Sequence, residues 1–147
     1  MTFPCPHCGK GVGGFRFEYD PFAIICRGGC DRTTRVVPLK FFGPLIEDIK
    51  AGSKRKTFRY EDEKNIERGD VLAILETRPG DDEPPVRGYA TVTDADELAI
   101  CELTEYHFAW HTSARDPETL VDSMRDIYNE PIGPETPVKY IAIEYHE

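Results

Sequence analysis

The spacing of apolar positions changes along the chain, and each change marks an element. Phe15, Phe17 and Tyr19 alternate with Arg16 and Glu18, the period-two pattern of a half-buried strand, until Asp20-Pro21 breaks it ahead of Ala23-Ile24-Ile25. Gly11-Val12-Gly13-Gly14 precedes that strand and no helix, so it predicts a hairpin turn and not a phosphate-cradling loop. Pro44 through Gly52 predicts a short helix, with Pro44 in its first turn and Gly52 placed to stop it. Strands are expected at Thr57 to Tyr60, Val71 to Leu75 and Gly88 to Thr93, with Arg78 to Pro85 a proline-rich acidic surface loop. Leu120, Met124, Ile127 and Tyr128 recur at helical spacing behind Asp116-Pro117, and Val138 to Tyr145 alternates as a last strand. The expected fold is mainly β with two helices (α+β), a small barrel or curled sheet.

Composition narrows the partners. The chain has 147 residues, of which 31% are charged, and a formal net charge of -9. Such an acidic surface disfavours duplex DNA or an anionic membrane as an extended partner. No apolar run reaches the ~20 residues of a membrane span, and the start lacks a signal-peptide pattern, so a soluble cytoplasmic protein is expected. The charge is uneven: residues 1–40 hold Lys10, Arg16, Arg27, Arg32, Arg35 and Lys40 against Glu18, Asp20 and Asp31, a net of +3 that leaves -12 for the rest. Four of the five cysteines lie in the same stretch. Together these place a boundary near Pro38, between a module at 1–38 and a domain at 39–147.

Cys5-Pro6-His7-Cys8 and Cys26-Arg27-Gly28-Gly29-Cys30 each form a tight thiolate pair, and two such pairs converge on one tetrahedral ion in a zinc ribbon. The expected metal ligands are Cys5, Cys8, Cys26 and Cys30, the expected cofactor a structural Zn2+. So short a module cannot bury enough apolar surface alone, and the ion would supply much of its folding free energy. Two disulfides are the alternative reading, and His7 is a stand-in ligand because the second pair has three intervening residues. Cys101, after Ala99-Ile100, is expected to be a buried small apolar residue.

In the second region, Lys50-Ala51-Gly52-Ser53-Lys54-Arg55-Lys56-Thr57-Phe58-Arg59 is half basic within an acidic domain. It reads as an anion-binding lip in which Lys54, Arg55, Lys56 and Arg59 meet phosphate or a polarised carbonyl, or more simply as a solvated turn. Tyr106, Phe108 and Trp110 alternate around His107 and His111, as a stacking face or as packing against the sheet. No Gly-x-Ser-x-Gly elbow or His-Glu-x-x-His site is present in the sequence, which removes the usual serine hydrolase and metalloprotease readings.

The helix ending in Gly52, the run GSKRKTFR, Gly69-Asp70-Val71-Leu72, Leu103-Thr104-Glu105 with His107, and Ile127-Tyr128 follow one another as in the activating signal cointegrator 1 homology (ASCH) domain. Gly52, Lys54 and Arg59 meet that family's Gly-x-Lys-x-x-x-x-Arg signature, and residues 39 to 145 resemble it. The resemblance implies a barrel similar to the pseudouridine synthase and archaeosine transglycosylase (PUA) domain, a PUA-like β-barrel whose relatives bind RNA or modified bases. Single-stranded RNA or a modified nucleoside is therefore the expected partner. Within the superfamily the segment looks closest to small bacterial amidohydrolases of N(4)-acetylcytidine, in which a Thr is nucleophile and acts with a Lys and a Glu. Thr57 and Lys54 occupy the matching places. The Glu falls on His111 counting from His107, or on Ser113 counting back from Ile127-Tyr128, so His111 is the expected acid or base. A ribonuclease is a further reading of the same resemblance. Positions three apart on a regular strand face opposite sides, so Lys54 must lie in the turn before the strand for it to meet Thr57.

Overall fold

A computed structural model describes residues 2–111 and 114–146. In chain order it contains β1 (Phe3–Pro4), β2 (Gly11–Val12), β3 (Phe22–Ile25), β4 (Thr33–Phe41), α1 (Gly43–Ala51), β5 (Lys56–Arg59), β6 (Val71–Glu76), β7 (Val86–Ala99), a 3-10 turn (Ile100–Glu102), α2 (Glu105–Phe108), α3 (Pro117–Tyr128) and β8 (Pro137–His146). β1 and β2 form a two-stranded ribbon, and the rest form one sheet of order β3-β4-β6-β7-β8-β5. All neighbours are antiparallel except β4 and β6.

The expected mainly-β fold is present, with corrections. The described residues hold three helices and not two, because Thr104 starts the one-turn α2. The sheet bends but does not close into a hydrogen-bonded barrel: β3 and β5 are its edges. β5 has only four residues, and what crosses the gap is a side chain, the Arg59 guanidinium donating to the Lys40 carbonyl at 2.9 Å. Phe15 to Tyr19 forms no strand. Gly14, at a φ of 70°, turns the chain, and the Phe15 and Phe17 rings fold inward onto Phe3, Tyr89 and Phe22. Gly11 and Val12, expected in a turn, pair with Pro4 and Phe3 instead.

β4 runs unbroken through Pro38, pairing with β3 up to Val36 and with β6 from Val36 to Phe41. Beyond Val36 the β3 side of β4 has no ladder, which is where a residue without an N–H is tolerated. Alternate positions then face two cores. Val37, Leu39, Leu72, Ile74, Ala90 and Val92 point inward with Ile46 and Ile49 of α1, while Val36, Val71, Ala73 and Tyr89 point outward under Phe3, Cys5, Val12 and Cys26. The cysteine-bearing segment thus covers the outer face of the sheet. A third cluster packs Leu120, Val121 and Met124 of α3 against Phe58, Val138 and Tyr140. α3 starts at Asp116, whose side chain accepts the Thr119 N–H at 2.9 Å.

Candidate functional site

The unclosed seam between the end of β4 and β5 holds a cavity of about 270 Å³. Its polar lining includes Lys40, Lys54, Thr57, Arg59 and His111, its apolar lining Phe42, Leu45, Leu120, Met124 and Ile127, and no carboxylate is among the lining residues described. Local structure sets each polar group. Gly52, at a φ of 81°, ends α1 in the left-handed conformation that a Cβ disfavours. The Asp48 carbonyl then accepts the N–H groups of Ser53 and Lys54 at 3.0 and 3.1 Å, fixing the turn. Lys54 therefore sits before β5, as a meeting with Thr57 requires, and both line the cavity. Thr57 and Arg59 share one face of β5, two residues apart.

Lys54 is 3% exposed and Thr57 5%. The Lys54 ammonium donates to the Lys56 carbonyl at 2.8 Å. Burial, reinforced by the Arg59 charge and opposed by Asp48, pushes its pKa down to about 8. The Arg59 guanidinium lies 4.6 Å from the Phe41 ring centroid, and its buried Nε has no partner among the described residues. Burial and the Lys54 charge push His111 down to about 3, so it is neutral near pH 7. Its Nδ1 accepts the Ala114 N–H at 2.9 Å, which leaves the ring proton on Nε2. The Nδ1 of His111 is thus engaged with the backbone. Ser113, the other position for the missing Glu, lies outside the described residues.

The expected basic lip does not act as one surface. Arg55 and Lys56 turn away from the seam into a second cleft of about 890 Å³, which they line with Lys50, Arg68, Tyr106 and Trp110. Lys56 is buried and committed, donating to the Tyr106 carbonyl at 2.9 Å and the Tyr140 hydroxyl at 2.7 Å, so it is no free phosphate contact. Arg55 stacks 4.6 Å from the Trp110 ring centroid, and its N–H donates to the Trp110 carbonyl at 2.7 Å. Tyr106 and Trp110 are 61% and 56% exposed while Phe108 is buried, so of the alternating aromatics two face solvent and one packs. Trp110 holds a φ of 63°, costly for a bulky side chain. Its position was not legible in the sequence; an aromatic residue beside α2 carries no sign of a left-handed backbone.

Cys5, Cys8, Cys26 and Cys30 bring their sulfurs within 4.8 Å of one another. The Cys5–Cys30 and Cys8–Cys26 separations are 3.7 Å. Metal–thiolate bonds of about 2.3 Å at tetrahedral angles put sulfurs about 3.8 Å apart, so the donor set fits one metal ion. No disulfide joins the described cysteines. His7 is exposed and outside the cluster. A Cβ at Gly29 would stand 2.6 Å from the Cys26 sulfur, so the close approach of that turn demands glycine. Cys101, expected buried, is exposed on the 3-10 turn.

No family model matches the chain, and no curated protein does. Solved structures do. The hypothetical protein PH0355 aligns with a TM-score of 0.57 at 23% identity, covering 76% of this chain and 99% of its own. The ZmASCH protein of Zymomonas mobilis aligns at 0.57 and 16%, covering 76% of this chain and 69% of its own. An ASCH domain from Lactobacillus crispatus aligns at 0.56 and 12%, covering 76% and 80%. The chain therefore has the fold of ASCH-domain structures. About a quarter of it lies outside each alignment.

Proposed function

We propose that this chain is an ASCH-domain protein that takes a modified nucleoside, free or within single-stranded RNA, into the seam cavity, and that its four cysteines hold a structural zinc ion. One observation carries the reading: Lys54, Thr57, Arg59 and His111, the residues matched to the family signature and its missing acid, line one cavity that has no described carboxylate. A base keto oxygen or an acyl oxygen meets donors there, and apolar walls exclude water around it. Arg55, Tyr106 and Trp110 in the neighbouring cleft suit the flanking part of a single strand. Thiolate ligands fit a reducing compartment, the cytoplasm.

The depressed Lys54 amine, in one cavity with Thr57, favours a second reading, amidohydrolysis of an acylated cytidine. The Thr57 hydroxyl oxygen adds to the acyl carbonyl carbon while its proton passes to neutral Lys54 Nζ. Arg59, whose buried Nε has no partner among the described residues, holds the oxyanion. Collapse breaks the bond to the exocyclic nitrogen, which takes the proton from Lys54, and water then hydrolyses the threonyl ester.

Chromatography of N(4)-acetylcytidine incubated with the protein separates the two. Conversion to cytidine that is lost in Thr57→Ala establishes the hydrolase. Saturable binding without conversion, weakened in Lys54→Met and Arg59→Met, establishes a binding module. Neither binding nor conversion, with single-stranded RNA also unbound, overturns both.

A further inference from the structure

Away from the seam, the cysteine-bearing segment carries a cleft of about 680 Å³ between β3 and the stretch Gly11 to Arg16. Its geometry is that of a missing strand. β3 pairs with β4 in the register Phe22↔Val36 to Ile25↔Thr33, and the Cys26 N–H continues it to the Arg32 carbonyl at 3.0 Å. In an antiparallel ladder the hydrogen-bonded pairs alternate. With Cys26 and Arg32 one such pair, Ile24 and Phe22 also turn their backbone groups toward β4, and Ala23 and Ile25 turn theirs toward the cleft. The Ile25 carbonyl accepts the Arg27 N–H at 2.9 Å. The Ala23 N–H, the Ala23 carbonyl and the Ile25 N–H have no hydrogen-bond partner among the described residues.

The opposite wall is bare. A Cβ added at Gly11 or Gly14 would meet nothing within 4 Å, and the stretch from Gly13 to Glu18 belongs to no ladder. Ala23 and Ile25 are exposed, Ile25 at 46%. The charged residues of the cleft are Arg16, Arg27 and Glu18, with both arginines exposed, in a segment that is net basic on an acidic protein.

We propose that this cleft is a strand-addition site: an extended acidic peptide of a partner protein pairs with the β3 edge through Ala23 and Ile25, with its carboxylates beside Arg16 and Arg27. Backbone pairing supplies affinity without demanding a particular sequence, and the arginines supply the preference for acid. β3 has four residues, an edge of ~13 Å at ~3.3 Å per residue, so a peptide of four to five residues fills it. The site is separate from the seam cavity and does not depend on what that cavity binds.

The test is fluorescence anisotropy of the metal-loaded full chain with a labelled alternating Glu-Val octapeptide, a Lys-Val octapeptide and an oligouridylate of similar length. Ala23→Pro is the diagnostic variant. Its lost N–H points away from β4, so the β3–β4 ladder is kept, which an unchanged thermal transition and unchanged metal content would verify. The expected result is saturable binding of the Glu-Val peptide, weakened about tenfold or more in Ala23→Pro, and a preference reversed toward the Lys-Val peptide in Arg16→Glu with Arg27→Glu. Equal binding by wild type and Ala23→Pro overturns strand addition. Preference for the oligouridylate overturns a peptide partner, and peptide-independent dimerisation abolished by Ala23→Pro makes the edge an interface between copies instead.

Discussion

The two ends of the molecule reach order by different means. The cysteine-bearing segment has little apolar area of its own: Phe3, Val12 and two buried cysteines rest on a sheet face that the rest of the chain supplies. The seam cavity is framed by two large clusters, each with several fully buried Ile, Leu or Val side chains worth ~1.5–3 kcal/mol apiece. On the proposed metal-site reading, the first depends on four ligands, the second on packing around buried charged groups. Ligand removal should therefore undo one end and leave the other, and charge changes should do the reverse.

The largest effect expected is from metal removal. Chelation, or Cys26→Ser, removes about 10 kcal/mol or more of binding-linked folding free energy from the segment. NMR would show amide signals of residues 3–36 collapsing while those of α3 and β8 persist; loss of both together would mean the two ends form one cooperative unit. Next comes the seam. If the chain is an amidohydrolase, Lys54→Met and Thr57→Ala lower kcat by roughly 10²–10⁴-fold with metal content and thermal transition retained, as steady-state kinetics would report.

Two pH effects follow in size. Lys54 holds its proton less tightly folded, at about 8, than the usual 10.5, so the unfolded chain binds more protons between those values. Stability then rises with pH through that window, and base-catalysed turnover rises through about pH 8. His111 falls from 6.5 to about 3, so stability declines as pH drops from 6.5 toward 3. Denaturant titrations across pH should show that acid limb flattened by about one proton in His111→Asn, and an unchanged limb would mean His111 is not desolvated. The smallest effect is Asp116→Ala, which removes the α3 cap for about 1 kcal/mol, read as a lowered urea midpoint with the metal content unchanged.

Legibility in the sequence followed the range of the interaction. The cysteine pairs and the Gly52 stop are local, and the chain order alone exposes them. The helix after Asp116-Pro117 is equally local, and its Leu120 and Met124 are buried as its period implies. The errors arose where a distant partner decides. Phe15 to Tyr19 alternates as a strand does while its rings are claimed by Phe3, Tyr89 and Phe22. Cys101 follows two apolar residues, yet its 3-10 turn projects it to the surface. Lys54, Lys56 and Arg59 share one basic run, but alternation along β5 turns Lys56 and Arg59 into two different clefts, while Lys54, in the turn before the strand, lines both.

The continuity of β4 across Pro38 bears on how such a chain can be inherited or engineered. A segment joined by a flexible linker can be deleted, duplicated or exchanged as a bead on a string. Here one strand is common property: its first half pairs with β3 and its second with β6, and Val36, Val71, Ala73 and Tyr89 wait beneath the cysteine turns. Cutting away the first thirty residues would strip those four side chains bare and leave a sticky face, so a shortened descendant would have to re-dress that surface in the same step.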